Sequence, residues 1–297
     1  MPQPGELILL VSPKGKRYLH RTQEEGEIHT HDGVIDMCQI QAATYGGQVV
    51  SHLGRAYRVQ KPTLYDLVKG VKRQTQIIYP KEIGYICMRL SIGPGMRIIE
   101  AGSGSGSLTI ALSWFAGETG RVYTYEQRPE FKALCAKNLA WAGVGRNVEQ
   151  HERDISEGFL QTGVDALFLD VRTPWDYLDQ VAKAVKPGAP VGFLLPTTNQ
   201  VSDLVAGLEQ GPFAGVEIVE ILLRRYKPVP ERLRPEDRMV AHTGFLVFAR
   251  CEEQGAAPIP APERPPKERP EPMETEPRED EEDSGLDGAD DSALGEE

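Results

Sequence analysis

The spacing of apolar and polar positions changes partway along the chain. Up to about residue 65 the apolar residues form short β-prone runs at 7–11, 17–20, 48–53 and 56–59, separated by turn residues such as Pro13-Lys14-Gly15 and Asp32-Gly33. This pattern predicts a small β-rich N-terminal domain over residues 1–65. From Arg97 the pattern switches to strand-like runs at 97–101, 121–126, 148–154, 165–171, 190–195, 216–223 and 244–249. Stretches with helical spacing at 105–115, 129–141, 174–185 and 199–209 lie between them, with Pro129 and Pro174 suited to first-turn positions. Strands alternating with helices predict an α/β fold whose central strands are mostly parallel. The last two strands have no helix between them and are expected to pair antiparallel.

Charge sharpens the boundaries. The chain of 297 residues carries a formal net charge of −11, but residues 252–297 alone hold 17 acidic and 4 basic residues, a net of −13, so residues 1–251 carry +2. That terminal stretch also has eight prolines and few aromatic or β-branched residues, and it reads as a disordered acidic tail. The near-neutral body removes the objection that an acidic protein makes a poor nucleic-acid partner, and the tail itself is a candidate competitor for basic surface. No apolar run is long enough to span a bilayer and no signal-peptide layout opens the chain, which predicts a cytoplasmic protein with no membrane partner. The four cysteines, Cys38, Cys87, Cys135 and Cys251, are scattered without a Cys-x-x-Cys pair and read as free thiols. His29 and His31, followed by Asp32, would share a face on a strand, yet no third ligand cluster accompanies them, so no metal is expected.

The candidate chemistry begins where the strand at 97–101 runs into Gly102-Ser103-Gly104-Ser105-Gly106-Ser107-Leu108. Glycines let a backbone turn sharply beneath a ligand, and the following helix offers free N–H groups. A dinucleotide motif requires glycine where Ser107 stands, so that reading fails. The run Glu-x-Gly-x-Gly-x-Gly instead resembles motif I of S-adenosylmethionine-dependent methyltransferases, in which the loop passes beneath the amino-acid part of the cofactor and the nearby carboxylate or backbone carbonyls stabilise its α-ammonium. Glu126 closes the next strand, where a carboxylate can accept from both ribose hydroxyls, and Asp154 ends the strand after that, where it can accept from an adenine amino group beside the apolar wall of Ile155. Asp170 ends the fourth strand, facing the position of the sulfonium methyl. N1 of adenine needs no base to expose its lone pair, but its methylation leaves a cation shared with N6. A carboxylate accepting from N6–H would orient the base and stabilise that charge, which makes Asp170 the leading catalytic candidate.

Further segments carry a more specific resemblance: His52-Leu53-Gly54, Pro62-Thr63-Leu64, Lys72-Arg73, the run from Gln76 to Lys81, Tyr125-Glu126 with Arg128-Pro129, Leu169-Asp170 with Pro174-Trp175, Leu195-Pro196 with Gln200-Val201, and the run from His242 to Val247. Over residues 5–250 the chain resembles the tRNA (adenine-58-N1) methyltransferase family of bacteria and archaea. The resemblance implies a β-rich N-terminal domain ahead of a Rossmann-like class I methyltransferase domain over residues 66–251, a homotetramer, S-adenosylmethionine as cofactor and N1 methylation of an adenosine in the T loop of tRNA. It also implies that Tyr79 stands near the target base as a second catalytic-site residue, and that Gln76 and Arg128 line the cofactor cleft. Arg172-Thr173 departs from the family, whose members often carry Pro or Glu between the aspartate and the Pro-Trp pair. Two basic clusters are candidates for holding phosphates: Lys69, Lys72, Arg73 and Lys81, and Arg224, Arg225, Lys227, Arg232, Arg234 and Arg238. The competing functions are methylation of a small molecule or protein, and a non-catalytic RNA-binding subunit of the same fold.

Overall fold

In chain order the elements of the computed structural model, which describes residues 1–74, 76–253 and 255, are β1 (Leu7–Val11), β2 (Arg17–Arg21), β3 (Glu27–Thr30), β4 (Gly33–Asp36), α1 (Met37–Ala42), β5 (Gln48–Val50), β6 (Ala56–Gln60), α2 (Leu64–Gly70), α3 (Pro80–Arg89), β7 (Arg97–Ala101), α4 (Ser107–Ala116), β8 (Arg121–Glu126), α5 (Pro129–Ala142), β9 (Val148–Glu152), β10 (Ala166–Leu169), α6 (Leu178–Ala184), β11 (Pro190–Leu195), α7 (Thr198–Gln210), β12 (Phe213–Val219), β13 (Tyr226–Lys227), β14 (Arg234–Pro235) and β15 (Phe245–Cys251). Residues Met1–Ala256 cluster as one unit. All but three residues of the acidic stretch at 252–297 lie outside the described residues.

The central sheet has the order β12-β15-β11-β10-β7-β8-β9. Strands β11, β10, β7, β8 and β9 run parallel, and β15 inserts antiparallel between β11 and β12. The expected antiparallel pair is therefore present, although β12 starts earlier than the sequence pattern suggested and shifts register between Ala214 and Glu217. Alternation along the strands sends side chains to opposite faces. Ile98, Phe168, Leu246 and Phe248 pack with α2 to α5, while Ile99, Leu167, Leu169 and Val247 pack with α6 and α7. Helix α4 is buried on almost every side, and its polar residues are matched: Thr109 donates to Glu100 at 2.7 Å and Ser113 donates to Asn147 at 2.6 Å.

The N-terminal part is a four-stranded sheet, β2-β1-β6-β5, with its own core built on Ile8, Leu10, Ile35, Ile40, Tyr57 and Val59. Sequence spacing missed the β3–β4 hairpin as well as α1, α2 and α3. The hairpin also separates the histidines: His29 lies on β3 and His31 in the turn after it, so they do not share a strand face. Pro174 opens a 3-10 turn at Pro174–Tyr177 rather than the helix itself, which begins at Leu178. Arg21 anchors the N-terminal sheet to α5 by donating to the carbonyls of Ala140 and Trp141 at its C-terminal end.

Glu100 is the most costly polar feature of the core. Only 2% exposed, it accepts from Thr109 and, at 2.8 Å, from Thr124, the residue opposite it on β8. It points into the layer below α4 and does not line the ligand cavity, so the carboxylate opening the glycine motif is a core group. Burial pushes it from the ordinary 4.5 up to about 7, against the two threonine hydrogen bonds that lower it. The folded state therefore holds this proton more tightly than the unfolded chain. Its stabilising contribution is complete below about pH 4.5 and is lost as pH rises to about 7, a change of roughly 3 kcal/mol. Glu100→Gln should flatten the pH dependence of stability between pH 5 and 8 by about that amount, measured by urea unfolding at several pH values. An unchanged profile would show that Glu100 ionises freely in the fold.

Candidate active site

Each of β7, β8 and β10 ends at a loop that opens on one cavity of about 570 Å³. Its walls include Gln76, Gly102, Gly104, Glu126, Gln127, Arg128, Arg153, Asp154, Ile155, Asp170, Arg172 and Tyr177. This is where an open α/β sheet binds ligands, beyond the carboxyl ends of its strands.

Glycine at position 102 is a geometric necessity. Its φ is +88°, and a Cβ there would lie 2.1 Å from the backbone oxygen of Asp170. The contact is held from both sides, since Gly102 N–H donates to Tyr125 O at 2.9 Å and Asp170 N–H donates to Ala101 O at 2.8 Å. Only a glycine lets β7 turn this close to the end of β10. Gly106, with φ of +81°, serves packing instead: a Cβ there would meet Cys135 Sγ at 2.8 Å.

Glu126 is 7% exposed and fixed by backbone donors. Gly104 N–H reaches its Oε2 at 3.1 Å, Arg128 N–H reaches its Oε1 at 3.1 Å, and the Arg128 side chain stands 3.6 Å away. The carboxylate thus ties the glycine loop to the start of α5 while lining the cavity. Asp154 caps a 3-10 turn through Ser156 N–H at 2.9 Å, which holds its carboxyl below the usual range. Its other oxygen accepts from Gln127 at 3.0 Å. Sequence reasoning passed over Gln127, whose only signal is its place directly after Glu126.

Asp170 differs from both. Among the described residues no group donates a hydrogen bond to its carboxylate, and the next capping position belongs to Thr173 rather than to Asp170. Protein surrounds the cleft floor densely, and this burial together with the charge of Glu126 pushes Asp170 up to about 7. The residue itself is exposed to the water in the cleft. Solvent therefore moderates the shift in the open cleft.

The loop contains two further kinds of residue. Ser103 and Ser105 are buried with hydroxyls that have no partner among the described residues, Ser107 donates to Ile78 O at 3.0 Å, and Leu108 is a core residue. None of these four, nor Gly106, lines the cavity, so of the seven loop positions expected to meet the cofactor only Gly102 and Gly104 form its wall.

Gln76 and Tyr79 divide between two clefts. Gln76 lines the cavity, and its amide donates to the Tyr79 hydroxyl at 2.9 Å. Tyr79 faces an adjoining cleft of about 400 Å³ together with Tyr65, Lys69, Lys81, Arg225 and Arg238. The two basic clusters, more than 140 residues apart in sequence, meet there. Not all of their cations are available. Lys81 is 8% exposed, pairs with buried Glu82 and donates to Ile221 O and Thr243 at 2.6 Å, so it serves as a strut between α3 and the last strands. Lys227 and Arg234 both pair with Asp237. Arg225 donates to the Tyr65 hydroxyl at 2.5 Å.

The carboxylates at three strand ends, the apolar Ile155 wall and a cavity of this size suit a nucleoside carrying a cationic tail. A family model described as "tRNA methyltransferase complex GCD14 subunit" matches residues 58–233. The chain belongs to this family. It is 36% identical over 251 residues to the tRNA (adenine(58)-N(1))-methyltransferase TrmI of Thermus thermophilus, covering 84% of this chain and 98% of that protein. It is 34% identical over 269 residues to the tRNA (adenine(57)-N(1)/adenine(58)-N(1))-methyltransferase TrmI of Methanocaldococcus jannaschii, covering 82% and 94%. Among solved structures it is similar to the tRNA (m1A58) methyltransferase TrmI of Aquifex aeolicus, with TM-score 0.74 and 39% identity over 84% of this chain and 98% of that one. A protein of Thermotoga maritima described as a SAM-dependent O-methyltransferase matches with TM-score 0.81 and 41% identity over 85% and 95%. No helix among the described residues is long and apolar enough to cross a membrane, and no group of three or more His, Cys, Asp or Glu among them could hold a metal ion.

Proposed function

We propose that this protein transfers a methyl group from S-adenosylmethionine to N1 of adenosine 58 in the T loop of tRNA. The observation that carries the reading is the Asp170 carboxylate, unclaimed by any donor among the described residues, standing in the same cavity as Glu126 and Asp154. The bound cofactor supplies an electrophilic methyl on a sulfonium. Glu126, with one face held by backbone N–H groups, keeps oxygen lone pairs for the ribose diol. Gln127 orients Asp154 beside Ile155 for the adenine ring. Gly102 and Gly104 let the loop pass close beneath the methionine part, and the positive charges of that part favour the ionised form of Asp170.

On the substrate side the target adenosine leaves its stack and enters between Tyr79 and the cofactor. Asp170 accepts from N6–H and stabilises the charge that develops across N1 and N6. Tyr79, held by Gln76, supplies the aromatic face. Arg172 and Thr173 line the same cavity, and the backbone of Arg172 is held by Gln200 at 3.0 Å, so the altered loop keeps a defined shape. No general base is required, because the reacting lone pair is already free.

The excursion between β12 and β15 supports self-association as a homotetramer. Leu222, Leu233 and Val240 are each more than half exposed, and Leu223, Tyr226, Val229 and Met239 are exposed beside them. An apolar surface of this kind is ordinarily covered by a partner.

Incubation of the protein with labelled S-adenosylmethionine and unmodified tRNA, followed by nucleotide mapping, should give 1-methyladenosine at position 58. Label on a ribose oxygen, at another nucleotide, or transferred only to small molecules or proteins would overturn the reading.

A further inference from the structure

The N-terminal sheet and the catalytic domain enclose a groove of about 740 Å³ whose wall residues include Arg17 and Leu19 of β2, Asp66 and Lys69 of α2, Lys72, and Lys137 and Trp141 of α5. Its geometry is fixed by packing. A Cβ on Gly70 would lie 2.5 Å from Leu19 and 2.7 Å from Trp141, so the end of α2 is clamped between the two domains. Arg21 ties β2 to the end of α5, and Arg17 pairs with buried Asp66, which also makes the capping box of α2 with Thr63.

Charge in the groove is one-sided. Its single carboxylate, Asp66, is already paired with Arg17 and held below the usual carboxylate range in a site that also includes the Thr63 hydrogen bonds. Lys69, Lys72 and Lys137 remain exposed, and none has a carboxylate partner among the described residues. Lys69 also lines the adjoining cleft that holds Tyr79. It therefore joins the groove to the place where the target base is expected.

The main chain that presents Lys72 is unusually well held. Asn138, 3% exposed on α5, accepts from Lys72 N–H at 3.1 Å and donates to Lys72 O at 2.8 Å and to Ser105 O of the glycine loop at 2.7 Å. One amide thus locks Lys72 to the cofactor loop and leaves its ammonium in the groove. Lysines with no counter-charge give up no existing ion pair on meeting an anion.

We propose that Lys137, Lys72 and Lys69 form a phosphate-binding track for tRNA, running along the groove between the two domains toward Tyr79. The proposal rests on the tRNA reading above and adds a surface to it. Lys137 was not part of either basic cluster legible in sequence, because α5 is far along the chain from Lys69 and Lys72 and only the fold puts the three in the wall of one groove.

Each phosphate neutralised releases condensed counterions, so the contribution of a lysine shows as salt dependence. The test is equilibrium binding of unmodified tRNA to the full chain over a salt series, comparing the wild-type protein with K69Q/K72Q/K137Q and with K183Q, a lysine on α6. The triple variant should bind roughly 30-fold or more weakly at about 0.1 M salt, and the slope of log affinity against log salt should fall in magnitude by about 2 to 3. K183Q should match wild type. An unchanged slope and affinity in the triple variant, or equal losses in K183Q, would overturn the track. If wild-type protein meanwhile still methylates adenosine 58, the functional reading stands without it; if wild type does not, that reading fails on its own.

Discussion

Asp170→Asn should lower single-turnover methylation of unmodified tRNA by about 10²–10³-fold, with cofactor affinity changing by only a few-fold. The magnitude is that of removing one preorganised group aimed at charge that develops in a transition state. Asparagine keeps the size of the side chain and its carbonyl can still accept from N6–H. It has no negative charge to offset the cation spread over N1 and N6, so the loss falls on the rate and not on ground-state binding. A pH signature accompanies it. Burial and the charge of Glu126 push Asp170 up from its ordinary 3.8 toward about 7, and cleft water moderates that shift in the free protein, so its carboxyl takes up a proton at higher pH than a free aspartate. The quantity kcat/KM should therefore rise with pH up to about 7 in the wild type, and this limb should vanish in Asp170→Asn. A variant that loses cofactor binding in step with rate would make Asp170 a ligand-positioning group instead.

Gly102→Ala should destabilise the protein by roughly 3–5 kcal/mol and abolish cofactor binding in whatever fraction folds. Two independent penalties add. The φ of +88° disfavours any residue with a Cβ, and that Cβ would lie 2.1 Å from a backbone oxygen. Relief requires moving the ends of β7 and β10 apart, yet both are held by ladder-like hydrogen bonds to Tyr125 O and Ala101 O. Gly104→Ala provides the contrast: its φ of +50° also strains a residue with a Cβ, but nothing lies within 4 Å of its Cβ position, so only the backbone penalty applies. It should lose only about 1–2 kcal/mol. Thermal or urea unfolding of the two variants, with calorimetric titration of S-adenosylmethionine, separates them. Equal stability of both would show that the β7–β10 contact yields easily.

Several features were legible in the sequence because they depend on local order. The alternation of strands and helices after Arg97 predicted seven strands, mostly parallel at the centre, with an antiparallel close, and the sheet has them. Glu126, Asp154 and Asp170 were found because a residue ending a strand of an open α/β sheet faces the ligand crevice wherever the neighbouring strands lie. The short elements were harder to read. Helix α2 has seven residues and α3 ten; both pack on α4 on the same side of the sheet, and α3 does so through Ile83, Ile86 and Cys87 at helical spacing, a short amphipathic face ahead of the strand–helix alternation. Glu100 looked like a cofactor ligand in the motif, but alternation along β7 turns it into the layer beneath α4, where Thr109 and Thr124 donate to it.

The sequence by itself determined the strand–loop–helix that turns beneath a ligand, the acidic strand ends and the separation of a −13 tail from a body of +2. Each of these follows from residue type and spacing within a few positions. Tertiary structure alone decided which charges are available and where they gather. Lys81, Lys227 and Arg234 looked equivalent to their neighbours, yet ion pairs with Glu82 and Asp237 occupy them. Lys137 looked isolated, yet packing of α5 against the N-terminal sheet sets it beside Lys72 and Lys69. Electrostatic interactions act over ångströms in space, whereas sequence reports only the order of residues along the backbone.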